Sequence, residues 1–346
     1  SMLLYALLYL TGYDVPMEQL QLFRQWDSIT PGHPEYGLTP GVETTTGPLG
    51  QGFTNGVGMG IAEQYLGAMF NTGEQPIVDH YTYAIVSDGD LMEGITHEAA
   101  SLAGHLKLGK LIYLYDNNHI SIEGSTSLAF TEDVGMRFEA YGWHVLRVED
   151  GNDLDAIEQA IRAAQAVTDR PSLIVVTTTI GYGSPNKAGT SEVHGSPLGA
   201  DEVQRTKEAL GWPLEPTFYV PDDVLAFFRQ AVERGAAWQQ GWQENWTQWA
   251  ARNPALGQQW QQMMSDELPD GWEADLPIFE PGDKPIATRN ASSKVINAIA
   301  RHFPGFVGGS ADLDPSTKTY QKDYPSFQAD ERSGRNLHFA CASTAW

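Results

Sequence analysis

Two oxygen-bearing side chains stand at comparable places in this sequence: Asp88 in Ser87-Asp88-Gly89-Asp90 and Asn118 in Asp116-Asn117-Asn118. Each follows a short β-branched or aromatic run, so each is expected at a strand end. A carboxylate and an amide oxygen projecting from one sheet edge can ligate a hard divalent cation such as Mg²⁺. A diphosphate would supply further oxygens, and the Ile120 carbonyl another from the turn. Gly89 lets a backbone approach phosphates, and a helix starting near Gly94 would aim its first N–H groups at them. Taken singly, Asp and Asn at strand ends are ordinary turn residues. The pair in register on successive strands is what points to a cation.

A second constellation is Gly47-Pro48-Leu49-Gly50-Gln51-Gly52, which follows Thr44-Thr45-Thr46 and opens a Gly-rich helix over residues 52–65. Such a loop suits a flat or phosphorylated ligand, although close helix packing through Gly56, Gly58 and Gly60 would need the same glycines. His33, in Thr30-Pro31-Gly32-His33-Pro34-Glu35, and His194, in the loop 184–198, sit on no periodic apolar face. Imidazoles titrate near neutrality, so either could bond substrate hydroxyls or shuttle protons; a solvated surface histidine is the plainer alternative. Glu93 suits a helix N-terminus, or a partner subunit.

The elements that would hold these residues follow an α/β rhythm. Strand-like runs at 81–86, 110–115, 143–148 and 172–179 alternate with helix-like segments at 95–106, 132–141 and 153–168, the pattern of a doubly covered, mainly parallel sheet. Ligands in such sheets gather at the carboxyl ends of the strands. Residues 31–60 are dense in Gly, Pro and Thr, and a loop of that length inside a domain is usually functional. Further on, a helix is expected at 201–210, a Pro-rich turn at 213–221, and a long helix bearing Trp238, Trp242, Trp246 and Trp249 as a buried stripe. Residues 266–285 read as linker, 291–302 as a helix and 306–308 as a strand end, the start of a second α/β domain. Residues 2–10 are apolar almost all round and suit a buried helix, as if the chain began inside a domain.

Composition narrows the partners. With 21 Lys+Arg against 44 Asp+Glu, the net charge of −23 repels nucleic acid and anionic membrane, so any phosphate must be bound locally, and a metal would explain how. The run 2–10 is too short to span a bilayer. Cys341 is the one cysteine, which excludes an internal disulfide and suits a reducing, cytoplasmic setting.

With these residues in hand, the sequence resembles the transketolases, thiamine-diphosphate enzymes of the pentose phosphate pathways. The motifs that carry the resemblance are Thr30-Pro31-Gly32-His33-Pro34, GVETTTGPLGQG at 41–52, Ser87-Asp88-Gly89 with Asp116-Asn117-Asn118, MRFEAYGW at 136–143, GSPNKAG at 183–189, and Gly309-Ser310-Ala311-Asp312-Leu313. The resemblance implies a thiamine-diphosphate-binding fold and transfer of a two-carbon ketol unit between sugar phosphates, chemistry that belongs to the cofactor. It makes Asp88, Asn118 and the Ile120 carbonyl ligands of Mg²⁺ or Ca²⁺. It sets Gly47, Pro48, Leu49, Gly89 and His194 against thiamine diphosphate, and His33 and His194 against substrate hydroxyls. Arg289 and Ser316 would take the sugar phosphate across a homodimer interface, where Arg offers a planar fork to phosphate oxygens.

The implied division is a pyrophosphate-binding domain at 1–255 lacking its N-terminal part, a linker at 256–285, and the start of a pyrimidine-binding domain at 286–346. Ser87 stands where the family usually has Gly, which is expected to tighten that turn. After His338-Phe339 the family places a glutamate that activates the cofactor, whereas this chain reads ACASTAW at 340–346. Deleting one G from codons for GVREYGM yields that heptapeptide, so a frameshifted tail is expected, and with it a fragment without turnover. The alternatives are another ketol-transferring enzyme, a dihydroxyacetone or deoxyxylulose phosphate synthase, and a catalytically silent cofactor-binding or interaction module.

Overall fold

The computed structural model describes residues 1–341 apart from Glu74, Asp266 and Asp283; residues 342–346 of the expected aberrant tail lie outside the described residues. Helices α1 (Met2–Thr11) and α2 (Met17–Gln21) precede a long irregular stretch, and α3 (Gln51–Phe70) follows it. The chain continues through β1 (Thr82–Ser87), α4 (Asp88–Met92), α5 (Gly94–His105), β2 (Leu111–Asn117), α6 (Val134–Ala140), β3 (His144–Val148), α7 (Leu154–Gln165) and β4 (Ser172–Thr177). These strands form one wholly parallel sheet in the order β1-β2-β4-β3.

The central strands β2 and β4 are near-continuous apolar runs because both their faces are covered. On one face Phe53, Val57, Ala99, Tyr113, Phe138 and Trp143 form the main core; on the other, α7 covers Ile112, Val148 and Ile174. Along β1 the covering is one-sided. Ala84 and Val86 point into the main core, whereas Tyr83 and Ile85, on the alternate positions, are 47% and 66% exposed. Asp133 and Asp153 cap α6 and α7, accepting from the N–H groups of Met136 (3.0 Å) and Ala156 (2.9 Å). Of the glycines in α3, packing demands Gly56: a Cβ there would lie 2.1 Å from the Tyr113 hydroxyl, which donates to the Phe53 carbonyl at 2.6 Å. Gly58 faces open space.

Several expectations need correction. In α1 only Tyr5 and Leu8 are buried while Leu3 and Leu7 are exposed, because a single face of the helix packs, with Val15, Leu20 and Val42. After α8 (Ala200–Ala209) the long helix is α9 (Asp222–Arg252), and its tryptophans divide. Trp249 is buried against Phe70, Ile77 and Val78, and Trp242 Nε1–H donates to the Ile77 carbonyl at 2.9 Å. Trp238, about one turn before Trp242 and three before Trp249, lies outside that cluster and is 70% exposed beneath the Arg234 guanidinium. Residues 256–264, the first part of the stretch read as a helical linker, lie in helix α10 (Pro254–Met264), whose Leu256, Trp260 and Met263 pack on the Phe70 cluster. Gly257 lies close against Ala250 at the end of α9; a Cβ there would come 3.1 Å from the Ala250 Cβ.

The remaining elements are α11 (Thr288–His302), β5 (Gly308–Ser310), α12 (Asp314–Thr317) and β6 (Asn336–His338). β5 and β6 pair in parallel, so the strand begins at Gly308 where the sequence pattern placed its end. This unit sits on the main core: Phe327 is part of it, Tyr65 Oη–H donates to the Pro304 carbonyl at 2.6 Å, and Arg332 donates to the Leu106 carbonyl at the end of α5 at 2.6 Å. Among the described residues no helix is long and apolar enough to cross a membrane.

Candidate metal and cofactor site

The register of β1 on β2 sets Ser87 beside Asp116, so the residues that follow leave the sheet side by side. Asp88 is 2% exposed. Its Oδ1 accepts the Tyr115 hydroxyl at 2.5 Å and the Asn118 backbone N–H faces the same carboxylate, yet Oδ2 is buried without a protein partner among the described residues. Burial pushes the pKa of Asp88 up, with the Tyr115 bond opposing. A buried carboxylate with an idle oxygen is costly unless a cation neutralises it. The residues present therefore fit a divalent metal.

The three side chains at the end of β2 are distinguished by their partners. Asp116 is occupied by the Thr178 hydroxyl, and Asn117 Oδ1 lies 3.1 Å from the Tyr115 hydroxyl oxygen, whose one proton goes to the closer Asp88. Asn118 Oδ1 receives the Ile120 N–H at 3.0 Å, which fixes the amide and leaves the second lone pair of that oxygen. The turn beyond is closed by Ser121 N–H on the Gly124 carbonyl (2.7 Å) and Thr126 N–H on the His119 carbonyl (2.9 Å), bonds that do not use the Ile120 carbonyl. A polar cavity of about 280 Å³, lined in part by Asp88, Tyr115, Asn117, His119 and Arg147, opens at this edge.

The glycine loop lies over the Asp88 turn. A Cβ on Gly47 would come within 2.8 Å of the His33 ring, and one on Gly89 within 3.3 Å of Leu49. Gly50, at φ 77°, begins α3, and its N–H donates to Asp90 Oδ1 at 3.2 Å. The His33 loop is tied down by Tyr5 Oη–H on the Pro31 carbonyl (2.8 Å) and by Thr46 N–H on the Pro34 carbonyl (3.1 Å). His33, Gly47, Leu49, Gly89 and Asp88 are thus brought together, with Pro48 exposed on the loop between them. The helix expected to start near Gly94 is α5; between the Asp88 turn and it the structure adds the five-residue α4, with Glu93 exposed between them. One local expectation changes. Ser87 is extended (φ −123°, ψ 174°), a conformation any residue adopts, so serine in place of glycine does not tighten the turn.

His194 is exposed just after a short 3₁₀ turn, its N–H donating to the Ser191 carbonyl at 3.0 Å. Its loop is laced by Glu202, whose carboxylate accepts from Ser184 Oγ (2.5 Å), Asn186 N (2.9 Å) and Asn186 Nδ2 (2.8 Å). The Asn186 amide, then the Ser184 hydroxyl and the Asn186 N–H, hold the Glu202 pKa down to about 2. Lys187 Nζ closes the loop on the Leu198 carbonyl at 3.1 Å. Arg289, in the first turn of α11, and Ser316, in α12, are both exposed on the second unit. No hydrogen bond among the described residues ties either to His33, Asp88 or His194. Sequence reasoning missed Tyr115, Asp90 and Glu202. Only Asp90 left a signal, the Ser-x-x-acid spacing of a helix start.

Residues 1–269 match the family model described as "Transketolase, thiamine diphosphate binding domain". The chain is 56% identical over 340 residues to a transketolase of Geobacillus stearothermophilus and 53% identical to a chloroplastic transketolase of Arabidopsis thaliana, in each case over 98% of its own length. It covers 51% and 46% of them, so it spans about half the length of the curated relatives it matches. Two solved structures superpose over 98% of this chain and 51% of their own. They are a Pichia stipitis transketolase in complex with sedoheptulose-7-phosphate (45% identity, TM-score 0.96) and the Leishmania mexicana transketolase (46%, 0.95). These identities do not favour the two synthases considered as alternatives. A parallel sheet whose edge carries an unsatisfied buried carboxylate under a glycine loop, matched at this extent, makes the chain a member of the transketolase family.

Proposed function

We propose that this chain holds thiamine diphosphate and a divalent cation, Mg²⁺ or Ca²⁺, for ketol transfer between sugar phosphates in the pentose phosphate interconversions. The observation that carries the reading is Asp88: a buried carboxylate with one oxygen unpartnered among the described residues, faced by the backbone N–H of Asn118, whose side-chain oxygen has a lone pair left. Asp88, Asn118 and the Ile120 carbonyl would hold the cation, and the cation the diphosphate. When bound, the cofactor supplies the electron sink for cleaving and remaking a carbon–carbon bond next to a carbonyl. The chain's own residues position it. Gly47, Pro48 and Leu49 with Gly89 form the surface against which the cofactor lies, and the His33 ring, packed on Gly47, reaches the same space. His33 and His194 hydrogen-bond sugar hydroxyls and carry protons there. Arg289 and Ser316, on the second unit, take the substrate phosphate in the partner protomer of a homodimer, which accounts for their separation from Asp88 within one chain. Residues 1–255 act as the pyrophosphate-binding domain and 286 onward as the start of the pyrimidine-binding one. A cytoplasmic setting suits the lone Cys341.

Turnover by these residues alone is not expected, because residues 340–346 do not include the glutamate that the family resemblance implies for activating the cofactor. The test is thiamine diphosphate titration of the purified chain with and without chelator, followed by tryptophan fluorescence, in parallel with a ketol-transfer assay. Cation-dependent binding with no turnover supports the reading. Binding indifferent to chelator, or to Asp88→Ala, overturns the metal assignment, and measurable ketol transfer overturns the expected inactivity.

A further inference from the structure

We infer that Asp90 is a positioning residue that fastens the glycine loop to the turn bearing Asp88, so that the two halves of the site move as one piece. The inference rests on the cofactor reading above for its functional meaning, and on geometry alone for the fastening. The Asp90 carboxylate uses both oxygens, and they face different segments. Oδ1 accepts the Gly50 N–H at 3.2 Å, from the loop forty residues upstream; Oδ2 accepts the Ser87 N–H and the Ser87 Oγ–H, each at 2.9 Å. Its backbone carbonyl is held in turn by Thr96 Oγ1–H at 2.6 Å and by Glu93 N–H at 3.3 Å, so the residue is anchored in α5 as well.

Gly50 has no freedom to find another place. Its φ of 77° favours glycine, and a Cβ there would lie 2.8 Å from Ile95 Cγ2, 2.9 Å from Thr96 Oγ1 and 3.0 Å from Glu93 Cβ. The backbone of the loop is therefore pressed on α5 at the point where Asp90 takes its N–H. Ser87 has a part in this as well: its hydroxyl adds a bond to Asp90 that a glycine at this position would lack. Asp90 and Asp88 are thus two carboxylates with different duties. Both oxygens of Asp90 are engaged by protein donors, whereas Asp88 keeps one oxygen without a partner among the described residues.

The experiment is amide hydrogen exchange on the full chain without cofactor, for Asp90→Ala, Asp90→Asn and Ser87→Gly. Losing hydrogen bonds to a charged acceptor should speed exchange of peptides covering residues 44–52 about tenfold or more in Asp90→Ala. Strands β2 and β4 should keep their protection. Asp90→Asn, which retains an accepting oxygen, should restore much of the protection of the loop, and Ser87→Gly should show a smaller loss. In the same variants, the affinity for thiamine diphosphate with Mg²⁺ should fall in the order of the exchange rates. Unchanged loop exchange in Asp90→Ala overturns the inference. So does acceleration spread equally through β2 and β4 in Asp90→Asn, which would make Asp90 a general stabiliser. If the unaltered chain takes up no thiamine diphosphate, the cofactor reading fails while the exchange measurement still decides the fastening.

Discussion

The Tyr115 hydroxyl donates to Oδ1 of Asp88 and leaves the other oxygen of that buried carboxylate without a protein partner among the described residues. One bond fixes the orientation of the carboxylate, and the idle oxygen is what a cation would bind. The cost of this arrangement falls on the metal-free chain, which must bury a carboxylate that is incompletely satisfied.

Asp88→Asn should therefore separate stability from cation response. Removing the charge should leave the metal-free chain as stable as the unaltered one, or more so, and should abolish the stabilisation that Mg²⁺ or Ca²⁺ gives by binding the folded state. Thermal denaturation with cation and with chelator measures both. An equal rise in melting temperature on adding cation to both proteins would show that the ion binds elsewhere.

Gly47→Ala tests the contact with His33. The added Cβ would come within 2.8 Å of the ring, so the imidazole must rotate or the loop must lift. Overpacking of this kind costs about 1–3 kcal/mol, and here it falls on the loop; cofactor affinity should drop while protection of the sheet strands is kept. Cofactor titration alongside hydrogen exchange distinguishes this outcome from global loss of structure.

The pH response of the His194 loop follows from Glu202. Its pKa is depressed from an ordinary 4.5 to about 2 by the Asn186 and Ser184 donors, so its contribution is fully present above the ordinary value and is lost as pH falls through about 2. The Asn186 backbone amide, followed by NMR, should stay in its native position through pH 4.5 and shift only well below it. Glu202→Gln should remove that titration. A midpoint near 4.5 in the unaltered chain would show that the donors do not hold the carboxylate in solution.

Two glycines of α3 should respond oppositely to alanine. Gly56→Ala drives a methyl into the buried Tyr113 hydroxyl and should destabilise by about 1–3 kcal/mol or more. Gly58→Ala meets nothing and should stabilise by about 0.5–1 kcal/mol, through the lower backbone entropy of the unfolded chain. Denaturant unfolding of the pair measures the contrast, and equal losses would place Gly58 in an unrecognised contact.

Much of this protein was legible from residue order, because the relevant physics is local. Strand runs, helical periods and glycine turns depend on neighbours within a few positions, so the α/β rhythm and the strand-end positions of Asp88 and Asn118 could be read directly. The motif resemblance added the thiamine diphosphate binding domain, and with it the roles proposed for His33, His194, Arg289 and Ser316. Other features needed the folded chain. That Asp116 is taken depends on Thr178, just past the end of β4, which no local pattern connects to it. Trp249 and Trp238 share one helical stripe, yet only the first meets Phe70, because burial is decided by what lies opposite. In the same way the Asp90 carboxylate meets the Gly50 N–H, and the Glu202 carboxylate Ser184 and Asn186, only after the sheet and helices have set distant segments side by side. Hydrogen bonds act over about 3 Å, a distance that separation along the chain does not encode and packing alone determines.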